Sequence, residues 1–247
     1  MKLARFTYAD AIHEGTFSDG KLTDLEGVPY DPVRVRWLPP CRPQSVVGLV
    51  LNYADHADEL GLSVTEDPVL FLKPTSSLLG HMESVVRPKG VEYMNYEGEL
   101  AVVIGAECRR VPAERAMQYV LGYTLANDLT VRDYITNTFR PPVRAKGFDT
   151  FCPLGPYITT KDEVPDPGSL FIRTSVNGVV KQDSNTKMFL HPLPKVIEFI
   201  SSFMTLRRGD IILTGTPRGI SPLSAGDVVE VTAEGCGTLR NQVVDEK

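Results

Sequence analysis

No apolar run in this chain is long. The two longest, residues 46–51 and 100–104, read Val-Val-Gly-Leu-Val-Leu and Leu-Ala-Val-Val-Ile. Runs this short, rich in β-branched residues, are the mark of buried strands, and they fall far below the ~20 apolar residues that a membrane-crossing helix needs. The 20 glycines and 19 prolines are spread along the whole chain, so turns are frequent and elements short. Strand character recurs at 69–72, 123–129, 211–214, 228–232 and 238–244. The strongest helical pattern is at 194–204, where Val196, Phe199, Ile200 and Phe203 recur at i, i+3, i+4 and i+7. Shorter helices are expected at 53–60, capped by Asn52 and stopped by Gly61, and from Pro112 to Val120, closed by Gly122. The expected architecture is mixed and mainly β. A small β-rich unit occupies residues 1–44, ending in the linker-like Pro39, Pro40 and Pro43, and the main unit occupies 45–247.

The charge and cysteine pattern narrows the class. A net charge of −5 gives no reason to expect a nucleic-acid backbone as partner. Cys41, Cys108, Cys152 and Cys236 are widely separated, with no C-x-x-C or Cys/His cluster, so independent thiols in a reducing compartment are expected. Arg5, Asp10 and Glu14 interrupt the N-terminus early, so the expectation is a cytoplasmic protein without leader or membrane contact.

The segment Tyr96-Glu97-Gly98-Glu99-Leu100 carries the most chemistry. On a strand, period two puts Glu97 and Glu99 on one face, with Gly98 leaving room for a close approach. Two carboxylates side by side repel each other unless a cation lies between them, and oxygen ligands suit Mg2+ or Mn2+. The pair alone reads equally as solvated glutamates at a strand entrance. Asp128, at the far end of the strand expected at 123–129, adds a third carboxylate, although it also suits a helix cap. Lys146 can neutralise such a cluster or hold a substrate oxygen, with Asp149 as a nearby partner; the ordinary alternative is a surface lysine. His56 and Glu59 lie at i, i+3 on the first helix, a pairing able to move a proton near neutral pH or to sit idle on a surface. Thr214-Gly215-Thr216-Pro217 follows a buried strand and can offer donors to a carboxylate; the phosphate-loop pattern G-x-x-x-x-G-K is absent.

Taken in order, these motifs resemble the fumarylacetoacetate hydrolase family. The resemblance runs from about residue 46 to the C-terminus. Its carriers are Leu51-Asn52-Tyr53-Ala54-Asp55-His56, Phe71-Leu72-Lys73-Pro74, Tyr96-Glu97-Gly98-Glu99-Leu100, Gly122-Tyr123 through Asn127-Asp128 with Arg132-Asp133, residues 146–153, and Leu213-Thr214-Gly215-Thr216-Pro217. It implies an α+β, mainly β core of rolled mixed sheet with short helices, a small N-terminal part and a homodimer. It also implies Glu97, Glu99 and Asp128 as ligands of Mg2+ (or Mn2+), and Lys146 beside the metal. His56 with Glu59 then serves as the proton-moving pair, Gly215 and Thr216 form the loop at the substrate carboxylate, and Arg132 and Asp149 are further substrate contacts. Residues 52–59, Val86-Arg87-Pro88 and Glu92-Tyr93-Met94 are most similar to the isomerases and decarboxylases of homoprotocatechuate breakdown. The implied chemistry is decarboxylation or isomerisation of a small 2-oxo acid through an enolate. Acylpyruvate hydrolysis, oxaloacetate decarboxylation and a non-catalytic metal-binding module are the alternatives.

Overall fold

The computed structural model describes residues 1–63, 65–135 and 142–247. The strands begin with β1 (Lys2–Tyr8), β2 (Ala11–Ser18), β3 (Lys21–Asp24), β4 (Pro29–Tyr30), β5 (Arg36–Trp37), β6 (Val46–Val50) and β7 (Val69–Lys73). They continue with β8 (Leu78–Leu79), β9 (Ser84–Arg87), β10 (Met94–Asn95), β11 (Gly98–Ile104), β12 (Val120–Asn127), β13 (Thr130–Val131) and β14 (Cys152–Thr160). The last are β15 (Phe171–Val176), β16 (Val179–Asn185), β17 (Ile211–Leu213), β18 (Val228–Ala233) and β19 (Gly237–Asp245). Among the described residues four α-helices intervene: α1 (Ala54–Leu60), α2 (Ala113–Ala116), α3 (Val143–Lys146) and α4 (Leu193–Phe203). None of the described helices is long and apolar enough to cross a membrane.

Twelve strands form one mixed sheet along the path β4-β3-β2-β1-β14-β12-β11-β17-β6-β7, with β5 on β1 and β8 on β14. Five more, β16-β15-β18-β19-β9, form a second sheet. The large sheet is rolled, as its connectivity requires. Strand β7 ends the path, five spacings from β14, yet β8 pairs with β14 at Cys152↔Leu78 after only residues 74–77. Five flat spacings would be about 24 Å, whereas a fully extended chain from Lys73 to Leu78 reaches only about 17 Å. Pairing of Lys2↔Thr159 and Leu3↔Ile158 carries the same sheet into the first 44 residues.

Strand β11 is buried on both faces along its whole length. Its residues Leu100, Val102 and Ile104 pack with Tyr123 and Leu125, with Ile172 and Val231 of the second sheet, and with Val196 and Ile200 of α4. The alternate residues Ala101 and Val103 pack inside the roll with Ala126, Leu154, Ile211 and Leu213. Period two therefore places Glu99, like Ala101, inside the roll, and turns Gly98 toward the second sheet.

Several expectations shift. The helix expected from Pro112 to Val120 is α2 plus a 3-10 turn (Met117–Tyr119), because Val120 and Leu121 are drawn into β12, where Val120 pairs with Ile104. Gly122 lies within that strand instead of closing a helix. Asn52 does not cap α1; Tyr53 occupies that position, and the buried Asn52 amide donates to the Thr214 carbonyl at 2.9 Å and accepts from His191 N–H at 2.8 Å. Two buried backbone groups outcompete a helix end for the side chain. Helix α4 stands where the periodicity puts it, but its buried stripe is Leu193, Val196, Ile197 and Ile200, while Phe203 is exposed against Phe199.

Gly122 is required by close approach, since a Cβ there would lie 2.1 Å from the Thr159 carbonyl oxygen. We expect Gly122→Ala to destabilise the fold by about 1–3 kcal/mol through forced backbone movement. Urea unfolding of the two proteins measures the difference.

Candidate active site

The site forms where β11 begins and β12 ends. Gly98 pairs with Asn127, so Glu97 and Asp128 are held across from each other by the Asp128 N–H donating to the Glu97 carbonyl at 2.8 Å. The Asn127 side-chain oxygen accepts from the Glu97 N–H at 2.9 Å. Oxygens of Glu97, Glu99 and Asp128 lie within 4.8 Å of one another, and all three residues are buried. The expectation that these carboxylates converge is met by the geometry.

Among the described residues three cations surround them. The Lys146 ammonium, at the end of α3, donates to Glu97 at 2.9 Å, to the Thr130 hydroxyl at 2.7 Å, and to Asp128 Oδ2. Arg132 Nη2 donates to Glu97, and its side chain is about one-third exposed, so it stands at the mouth. The third is Lys73, which belongs to the Phe71-Leu72-Lys73-Pro74 motif but had no expected role in the site. Its ammonium is fully buried and donates to Asp128 Oδ1 at 2.6 Å and to the Lys146 carbonyl at 2.5 Å. Burial alone would raise the Asp128 pKa, but the charges of Lys146 and Lys73 outweigh it and hold the carboxyl below its usual range. Burial likewise opposes the Lys146 charge, yet Asp128 and Glu97 keep its ammonium above the ordinary lysine value. Among the described residues no cation donates a hydrogen bond to Glu99. Burial, reinforced by the Asp128 and Glu97 charges, pushes it well above a normal glutamate; the nearby Lys146 charge and the Gly215 N–H donating to Oε2 at 2.7 Å offset only part of this.

The loop after β17 ties this cluster to α1. Gly215 contacts Glu99, and Gly219 N–H donates to the Glu59 carboxylate at 3.1 Å. Glu59 in turn lies 2.9 Å from His56 Nδ1, and His56 is buried. The Tyr96 hydroxyl donates to the Gly219 carbonyl at 2.6 Å, anchoring the loop beside Glu97. Thr216 is already engaged: its hydroxyl donates to the Gly98 carbonyl at 3.0 Å and accepts from Gln182 Nε2 at 2.7 Å. Gln182, reaching in from β16, also donates to the Pro217 carbonyl at 2.7 Å and accepts from Gly98 N–H at 3.1 Å. It therefore pins the loop to the residue between the two glutamates, and nothing in the exposed, polar sequence around it announced that role. Asp149 is exposed, and none of the described hydrogen bonds or ion pairs links it to the cluster.

A donor set of three buried, converging carboxylates is compatible with a divalent metal. A rolled mixed sheet carrying that set matches a known class. Residues 45–244 match the model described as fumarylacetoacetate (FAA) hydrolase C-terminal. The 4-hydroxyphenylacetate degradation bifunctional isomerase/decarboxylase of Salmonella dublin is 45% identical over 203 residues, which are 82% of this chain and 47% of that protein. The chain thus spans about half the length of that relative. Among solved structures, 5-carboxymethyl-2-hydroxymuconate delta-isomerase from Mycobacterium smegmatis aligns over 100% of both chains at 41% identity with a TM-score of 0.91. Maleylpyruvate hydrolase from Sphingobium sp. SYK-6, in complex with manganese (II) ion and pyruvate, aligns at 30% identity over 100% of both chains with a TM-score of 0.87. The chain belongs to the fumarylacetoacetate hydrolase family.

Replacing Gln182 by Met leaves the buried Gly98 N–H and Pro217 carbonyl without their partner. We expect a loss of about 1–3 kcal/mol, read by urea unfolding.

Proposed function

We propose that this chain is a Mg2+- or Mn2+-dependent decarboxylase/isomerase of a small 2-oxo (2-hydroxy-diene) dicarboxylic or tricarboxylic acid in aromatic catabolism. The observation that carries the reading is the convergence of three buried carboxylates, of which Glu99, among the described residues, accepts a hydrogen bond from a backbone N–H and from no cation. Glu97, Glu99 and Asp128 would hold the ion. When bound, it supplies a Lewis acid toward the 2-oxygen of a 2-oxo acid.

The chain's own side chains account for the rest. Lys146 and Arg132 bring positive charge to the cluster and its mouth, which favours an anionic substrate. The contact between His56 Nδ1 and Glu59 favours the tautomer with hydrogen on Nδ1, leaving Nε2 as the base. That nitrogen takes a proton from a substrate carbon or returns one, while Glu59, held by Gly219 N–H, keeps the ring in place. Loss of CO2 and a proton shift both send an electron pair toward the 2-oxygen, so one set of groups serves either. A second reading, hydrolysis of an acylpyruvate, draws on the likeness to the maleylpyruvate hydrolase, with the same His56–Glu59 pair activating water. A cytoplasmic homodimer completes the proposal, and the exposed Val69 and Leu72 on the edge strand β7 support a protein-covered edge.

An NMR time course of 5-oxopent-3-ene-1,2,5-tricarboxylate with Mg2+ distinguishes these readings. We expect metal-dependent CO2 loss that Glu97→Ala lacks. Unchanged substrate, with turnover of an acylpyruvate instead, would favour the hydrolase. Glu59→Gln should lower kcat by roughly 10²–10⁴ while metal binding is unchanged; equal kcat in the two proteins would remove the His56–Glu59 pair from the chemistry.

A further inference from the structure

Lys73 is the one fully buried ammonium of the cluster that the proposed chemistry leaves without a role. It ends the edge strand β7, whose alternation turns Phe71 and Lys73 inward and leaves Leu72 between them exposed. Its three protons are taken by Asp128 Oδ1 at 2.6 Å, the Lys146 carbonyl at 2.5 Å and, more loosely, the Leu129 carbonyl at 3.5 Å. An ammonium with every donor used and no exposed surface has nothing left to offer a substrate. What it does is sort the two oxygens of Asp128. Lys73 occupies Oδ1, which leaves Oδ2, the oxygen that accepts from the Lys146 ammonium, as the one free to reach an ion. The same strand fixes Lys146 twice, since the Phe71 ring lies 4.8 Å from its ammonium and Lys73 grips its carbonyl.

We infer that Lys73 is a positioning residue that makes Asp128 a one-oxygen ligand through Oδ2 and holds Lys146 in register with it. This rests on the proposed metal site. The physics supplies a test with opposite signs. As a charge, Lys73 repels a divalent cation, so a residue that only neutralised the cluster would bind the ion more tightly once removed. As a positioning residue, its removal frees Asp128 to rotate and loosens the ion, by the ~10–100-fold typical of partners that orient metal ligands.

The experiment is Mn2+ titration, followed by the electron paramagnetic resonance signal of the free ion, on the wild type, Lys73→Met and Lys73→Gln. The Gln variant keeps a donor in the cavity and serves if the Met variant fails to fold, as judged by near-ultraviolet circular dichroism. We expect one site in the wild type and Mn2+ binding at least ~10-fold weaker in the variants. We also expect the Mn2+ concentration for half-maximal turnover to rise by a similar factor, with kcat at saturating Mn2+ largely retained. Affinity equal to or tighter than wild type in a folded variant overturns the role of Lys73 and leaves the metal site standing. A wild type that binds no Mn2+ overturns both.

Discussion

Three carboxylates in one buried space are the constraint on which the rest of this structure depends. Glu97, Glu99 and Asp128 repel one another, and burial strips each of the water that would screen that repulsion. Among the described residues the fold answers with three cations drawn from distant parts of the chain: Lys73 from an edge strand, Lys146 from a short helix and Arg132 from a 3-10 turn. Their hydrogen bonds go to Asp128 and Glu97, and among the described residues Glu99 accepts one only from the Gly215 N–H. The imbalance points to the side on which a further cation would be held.

The sheet geometry makes this arrangement possible. Because β11 is covered on both faces, its two residue sets are assigned to different jobs. Ala101 and Val103, with Glu99, face the inside of the roll; Leu100 and Val102, with Gly98, face the second sheet. Gly98 has no room for a side chain, since a Cβ would meet the Thr174 hydroxyl at 2.0 Å. That closeness lets Gln182 bond both Gly98 and the loop that reaches Glu99 and Glu59. The roll itself brings β7 back over β14, which is how Lys73 arrives at Asp128.

Much of the site was legible in the sequence where its logic is local. Period two on an apolar strand is enough to put Glu97 and Glu99 together, and helical spacing is enough for His56 and Glu59. Asp128 was legible as an acid at a strand end, and its pairing across from Glu97 follows from the antiparallel register. What was not legible is non-local. Lys73 looks like an ordinary lysine until the sheet rolls it inward, and Gln182 sits between exposed neighbours on a strand whose pairing partner belongs to a second sheet. Asn52 looked like a cap because nothing nearby in sequence shows the carbonyl of Thr214 waiting for it. The short helix at Pro112 gave way because pairing with Ile104 outweighs local preference in residues 120–121.

The central claim is that the buried triad is a divalent-metal site. Its most direct test is a crystal grown with Mn2+, with anomalous scattering recorded at the manganese edge. The account predicts one strong peak roughly 2.0–2.6 Å from an oxygen of each of Glu97, Glu99 and Asp128, the range of hard-cation bonds to oxygen. A map with no peak there, the Lys146 ammonium still seated between Glu97 and Asp128, would contradict it.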